Sequence, residues 1–167
     1  MEDPTTLLAH ERAERQRVTE SQIVALLGEF IFRYSDFVTA LHFCVAWHDW
    51  GATLDNYGDI ADDLGTADLL ARIRKQVQLK YGQDKVAFDK YSKWLMKANA
   101  LRVVRNVIAH SRWKIEPYGR YGVAITTPVF VDPQIEQHFT VERLRELRES
   151  IHPLISELNK LRHTYYL

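Results

Sequence analysis

The sequence predicts a mainly α-helical protein with a small β-hairpin-like insert near residues 120–131. Two observations predict this class. Apolar residues recur at intervals of three and four through four segments, which is the period of amphipathic helices. One segment after Trp113 instead combines proline, glycine and a run of β-branched residues, which is typical of short strands and turns.

The size and charge of the chain exclude several classes of protein. Its 167 residues, 46% of them hydrophobic, suffice for one core, so we expect residues 1–167 to form a single domain. The 22 basic and 22 acidic residues leave no net charge, which argues against a protein that coats duplex DNA. The one cysteine, Cys44, excludes an internal disulfide, and no segment has the pattern of an export signal or a membrane span. These features predict a cytoplasmic protein with no membrane partner.

An acidic loop separates the first two predicted helices. From Thr19 onward, nine apolar residues keep helical spacing through Leu41. Six aspartates and three glycines, with no lysine or arginine, occupy residues 49–68, which predicts a solvated loop. Thr66 is the predicted N-cap of the second helix, which ends at Tyr81-Gly82.

Cap and breaker residues mark the remaining elements. Asp84 is the predicted cap of a third helix, whose apolar positions continue with helical spacing to Ile108. In the β-branched run, Pro128 predicts edge strands, because proline cannot donate a hydrogen bond to a neighbouring strand. The last helix is predicted to start near Thr140, a capping residue without the glutamate of a full capping box.

The last helix carries a seam of six leucine and isoleucine residues spaced alternately three and four apart. This seam predicts packing onto the core of the bundle, and a dimer contact is the alternative. Pro153 interrupts the helix, so we expect a kink or a break between Ser150 and Pro153. The seam consists of Leu144, Leu147, Ile151, Leu154, Leu158 and Leu161.

Polar and basic residues crowd the end of the third helix. Arg105, Asn106 and His110 lie there within six residues, and the segment from Lys97 to Arg120 holds six basic residues and one acidic residue. Histidine side chains exchange protons near neutral pH, and the arginine guanidinium offers a planar set of donors to phosphate oxygens. This combination predicts a site for a phosphodiester.

The spacing Arg105-Asn106-x-x-x-His110 resembles the signature of HEPN domains, many of which cut RNA without a metal ion. The resemblance implies that His110 transfers protons, that Arg105 stabilises the charged phosphate and that Asn106 orients the site. It also implies a HEPN-like bundle of four to five helices, a homodimer and products with a 2′,3′-cyclic phosphate. The flanking residues expected to bind the RNA are Arg102, Arg112, Trp113 and Lys114.

Helical geometry separates the two residues that the resemblance makes central. At 3.6 residues per turn, Arg105 and His110 lie about 140° apart around one helix and about 7.5 Å apart along it. Either the helix ends before His110 and turns the imidazole back, or two copies of the chain share the site across a two-fold axis. We favour the shared site. A structural alternative is that Asn106 and His110 form an i,i+4 pair that fixes the helix end.

Two classes of function remain open at this point. The first is a metal-independent endoribonuclease, in a toxin or phage-defence setting that would supply an antitoxin or regulatory partner. The second is a non-catalytic HEPN module that binds nucleotide, nucleic acid or another protein through the same basic surface. Neither class requires a cofactor or a metal ion.

Two weaker patterns also suggest ligands. His42, Cys44, His48 and Asp49 lie together and could share a metal ion, although structural zinc usually takes four ligands and paired cysteines, and a buried Cys44 is the simpler interpretation. Trp113 is flanked by basic residues and could stack on an unpaired base, whereas a core position is favoured.

Overall fold

The described part of the chain forms four helices and one small antiparallel sheet. A computed structural model describes residues 4–47, 51, 64–116, 123–128 and 137–167. The fold class is mainly α with a small β insert, as predicted. In chain order the elements are α1 (Pro4–Ala46), α2 (Thr66–Tyr81), α3 (Lys85–His110), β1 (Ser111–Glu116), β2 (Val123–Pro128), β3 (Gln137–Thr140) and α4 (Val141–Tyr165).

The contacts of the chain divide it into two compact units. The first unit comprises Met1–Ile31 and Asn106–Arg148, and the second comprises Phe32–Arg105 and Glu149–Leu167. In the first unit, an ion pair of 2.7 Å joins Arg148 on α4 to Glu29 on α1. The unit boundary falls within α3, so Arg105 belongs to the second unit, whereas Asn106 and His110 belong to the first.

A buried tryptophan is the centre of the second unit. Trp94 on α3 is fully buried, and its indole N–H donates a hydrogen bond of 2.9 Å to the carbonyl oxygen of Leu154 on α4. The ring of Phe37 on α1 packs on it at a centroid distance of 6.5 Å. Three helices therefore meet at one side chain, which is a consequence of the three-and-four spacing of their apolar residues.

Replacing this side chain is expected to cost much of the stability of the protein. Trp94→Ala removes a fully buried aromatic ring and leaves a cavity, so we expect the free energy of unfolding to fall by about 3–5 kcal/mol. Urea denaturation followed by circular dichroism measures this loss. Met96→Ala is the matched control, because Met96 lies on the same helix and is 64% exposed, so it should change stability by less than about 0.5 kcal/mol.

The first helix begins earlier than the sequence predicts. It starts at Pro4 instead of Thr19, and proline is tolerated in a first helical turn because the amide proton it lacks would have no partner there. Every side chain from Leu8 to Val18 is exposed, so this part of α1 has no apolar face. A periodicity argument could not have detected it.

Two of the three predicted caps are confirmed. The Asp84 carboxylate accepts hydrogen bonds from the backbone N–H groups of Val86 and Ala87, at 3.0 and 3.1 Å, and the Thr140 hydroxyl oxygen accepts one from Arg143 N–H at 3.1 Å. The predicted cap at Thr66 is wrong. Gly65 occupies the N-cap position of α2, and Thr66 is its first helical residue.

The β insert is a three-stranded antiparallel sheet in the order β1-β2-β3. Strands therefore form in the predicted segment, while residues 120–122 and 129–131 of that prediction lie outside the described residues. The prediction that Pro128 lies in an edge strand is wrong, since β2 is central. Among the described residues, β3 pairs with Val123–Thr126 and Pro128 faces Ser111 of β1, so that no described ladder bond to β3 needs the amide proton that proline lacks.

The leucine and isoleucine seam of α4 packs inside the chain. All six residues of the seam are at most 8% exposed. The core interpretation is therefore confirmed, and the seam is not available for a dimer contact. α4 also continues through Pro153 to Tyr165, so the alternative of a break at Ser150–Pro153 is wrong.

Candidate functional site

The Arg-Asn-x-x-x-His motif occupies the last turns of α3. The helix continues to His110, where β1 begins, so the alternative in which the helix ends before His110 is wrong. Arg105 and Asn106 are half-buried, whereas His110 is exposed. On a continuous helix Arg105 and His110 keep a separation of about 140° around the axis, and Asn106 and His110 lie within about 40° of each other.

Arg105 packs on an aromatic ring in the second unit. Its guanidinium carbon lies 5.5 Å from the centroid of the Tyr34 ring, and Tyr34 is a buried residue of α1. A guanidinium held over an aromatic ring at this distance gains a cation–π attraction. The ring therefore helps to position Arg105, whose Nε is buried.

The Tyr34 hydroxyl is affected by burial, by one neighbouring side chain and by the charges of two arginines. Burial raises the pKa of its hydroxyl above the ordinary value of 10.0, and this effect exceeds the opposing effects of the Thr66 side chain and of the positive charges of Arg105 and Arg102. Tyr34 and Thr66 are residues of this site that the sequence reasoning missed.

Side chains just beyond the motif bond back to the last turn of α3. The Ser111 hydroxyl donates a hydrogen bond to the carbonyl oxygen of Val107. The indole N–H of Trp113 donates one of 3.0 Å to the carbonyl oxygen of Ile108. Both carbonyl groups belong to the end of the helix, where backbone carbonyls commonly accept hydrogen bonds from side chains. The bonds therefore fix how the chain leaves α3 at His110.

The four predicted RNA-binding residues lie on two different elements. Arg102 lies on α3 in the second unit, and Arg112, Trp113 and Lys114 lie on β1 in the first. The Trp113 ring is half-buried and packs on Phe139 at a centroid distance of 5.8 Å, which gives it a structural role. Its stacking on a base stays a prediction.

The cysteine is poorly placed for metal binding or nucleophilic chemistry. Cys44 is fully buried, and this burial raises the pKa of its thiol to about 12, with a smaller opposing effect from the charge of Arg162. Metal binding and nucleophilic attack both require the thiolate, so this thiol is inert at neutral pH. Within the described residues, no three potential metal ligands group together, and His48 and Asp49 lie outside that part.

The described helices contain no segment with the length and apolar character needed to cross a membrane.

In comparisons with known proteins, no family model, no curated protein and no solved structure matches the chain. The resemblance to HEPN domains therefore rests on the sequence around Arg105 to His110.

Proposed function

We propose that this chain is a metal-independent endoribonuclease of the HEPN type. The observation that carries the proposal is the motif Arg105-Asn106-x-x-x-His110 at the end of a long helix, with a second arginine, Arg102, one turn earlier on the same helix. Because Arg102 and Arg105 lie three residues apart on this helix, their positive charges add locally and favour a polyanion. RNA is the polyanion that His110 could also cleave.

In the proposed reaction the RNA supplies its own nucleophile. The ribose 2′-oxygen attacks the neighbouring phosphorus while the bond from phosphorus to the 5′-oxygen breaks. The products are a 2′,3′-cyclic phosphate and a 5′-hydroxyl. One proton leaves the 2′-hydroxyl and one reaches the 5′-oxygen, and His110 carries out one of these transfers. Arg105 stabilises the negative charge that develops on the phosphate, and Asn106 orients the reacting groups.

A homodimer accounts for how the two residues meet. Because α3 stays helical through His110, Arg105 of one copy and His110 of the same copy point in different directions. A two-fold axis would bring Arg105 of one copy to His110 of the other and would form two equal sites. In a cell, an antitoxin or regulatory protein and a role in phage defence would fit such an enzyme, and we place it in the cytoplasm.

Incubation of the purified protein with mixed RNA in excess chelator tests the proposal. We expect cleavage without added metal, because the reaction needs only a proton carrier and a cation that stays in place. Chemical analysis should find 2′,3′-cyclic phosphate and 5′-hydroxyl ends. Cleavage that appears only with a divalent metal ion, or that leaves 5′-phosphate ends, contradicts this mechanism.

A non-catalytic binding module is the second candidate function, and the same assay separates it from the first. A module of this kind would bind RNA in the chelator without shortening it.

A further inference from the structure

A groove of about 350 Å³ lies between α2 and α3, within the second unit. Its floor is apolar, since Leu70 and Leu95 are only 6% and 4% exposed. Three polar side chains line it: Arg74, Asn99 and Arg102. The volume is at the small end of the range of roughly 300–1,000 Å³ that is typical of ligand pockets. The groove therefore has room for one flat ring system with a charged substituent.

The groove arises because α2 carries small residues where it faces α3. Ala67 and Ala71 lie one turn apart on α2 and leave space that longer side chains would fill. Only residues 82–84 connect the two helices, so the helices run antiparallel. Arg74 therefore lies towards one end of the groove and Arg102 towards the other. Two cations at opposite ends of an apolar floor suit a flat ligand with a negative charge.

The polar side chains strengthen this preference for an anion. Within the part of the chain that the structure describes, no carboxylate lines the groove. Arg102 Nε donates a hydrogen bond of 3.0 Å to the amide oxygen of Asn99, which holds the guanidinium plane while the terminal nitrogens can bind phosphate oxygens. The amide nitrogen of Asn99 is then a hydrogen-bond donor for a polar ring edge.

Arg102 lines the groove one turn before Arg105 on α3. Arg102 lines the groove and also lowers the pKa of the Tyr34 hydroxyl, as does Arg105, whose guanidinium packs on the same ring. The two arginines are three residues apart on α3, which places them on neighbouring positions of one helix face. A phosphate bound by Arg102 would therefore be followed along a strand by one near Arg105.

We propose that the α2/α3 groove binds one unpaired nucleotide of the RNA substrate, next to the phosphate held by Arg105. This inference rests on the proposed nuclease function and extends it to substrate recognition. The base lies on Leu70, Leu95 and the alanines, and Arg102 binds its phosphate. Arg74 and Asn99 contact the edge of the base. Only a base that is not paired can enter, so the groove selects single-stranded RNA.

Filling the groove without changing its charge is the direct test. Ala71→Trp places a large ring where the base would lie, and Ala13→Trp adds the same ring at an exposed position of α1 as the matched control. Binding is measured by fluorescence anisotropy with a single-stranded 2′-O-methyl hexanucleotide, which cannot be cut because its nucleophile is blocked. We expect Ala71→Trp to raise Kd by about tenfold or more, the loss expected for one stacked base, and Ala13→Trp to leave it unchanged.

A second variant covers the case in which Ala71→Trp does not fold. Arg74→Ala keeps the shape of the groove, and Arg72→Ala removes an arginine from α2 that does not line it. We expect Arg74→Ala to raise Kd about fivefold or more and Arg72→Ala to raise it clearly less. Circular dichroism establishes that each variant is folded.

The outcomes separate this proposal from the proposed nuclease function. If folded Ala71→Trp and Arg74→Ala bind the hexanucleotide as their controls do, the groove proposal is wrong, whether or not the protein cuts RNA. If these variants weaken the binding of free adenosine monophosphate but not that of the hexanucleotide, the groove takes a free nucleotide and the proposal is also wrong. If binding falls as expected but the parental protein never cuts RNA, the nuclease proposal fails and the nucleotide site stands.

Discussion

His110→Ala should cut RNA at least a hundredfold more slowly than the parental protein and still bind it. General acid-base catalysis by a positioned side chain typically contributes about 10²- to 10⁴-fold to a rate, and the substitution removes the only group in the motif that can carry a proton at neutral pH. Because His110 is exposed, its removal should leave the fold intact. Initial rates on labelled RNA and Kd for the uncut 2′-O-methyl strand measure the two effects separately.

A second histidine provides the control for this experiment. His152 is also exposed and helical but lies on α4, outside the motif, so His152→Ala should cut at the parental rate. A folded His110→Ala protein that cuts as fast as His152→Ala would falsify the catalytic assignment. Any cleavage that is equal in all three preparations marks a contaminating nuclease.

Mixing two inactive variants should restore activity if two copies share each site. Arg105→Ala lacks the phosphate ligand and His110→Ala lacks the proton carrier, so each alone should be at least a hundredfold less active. A dimer with one copy of each variant has one complete site, formed by His110 of the first copy and Arg105 of the second. With random exchange, half of the dimers are mixed and each has one of two sites, so we expect about a quarter of the parental rate.

The measurement is the cleavage rate after the two proteins are unfolded and refolded together, with each refolded alone for comparison. A mixture of Arg105→Ala with the double variant Arg105→Ala/His110→Ala is the control, since none of its dimers has a complete site. If the first mixture is no more active than this control, the site lies within one chain or the protein does not dimerise.

Local signals made much of this fold predictable from the sequence. The apolar spacing of α3 and the capping residue Asp84 are both local features, and the structure has the helix from Lys85 to His110 with that cap. The seam of α4 was predictable for the same reason. In contrast, the prediction of Thr66 as a cap was wrong. The side chain of Thr66 instead interacts with Tyr34, which is more than thirty residues away in the sequence. No local pattern reveals a contact of that kind.

The candidate site was only partly predictable, because its shape depends on pairs of elements. The motif residues can be read from one stretch of sequence, but the packing of Arg105 on Tyr34 joins α3 to α1. The groove likewise needs α2 and α3 together. Neither the alanines of α2 nor Asn99 and Arg102 of α3 form a cavity alone. The strand β3 was missed because four residues, Gln137–Thr140, are too short for an alternating pattern.

The burial of the single cysteine makes the protein suitable for site-directed labelling. Maleimides and methanethiosulfonates react with thiolates, and the Cys44 thiol is both enclosed and protonated. A cysteine introduced at an exposed position would therefore be the one thiol that such reagents modify in the folded chain. Spin labels or fluorophores could then report the distance between two copies in solution without removal of the native cysteine.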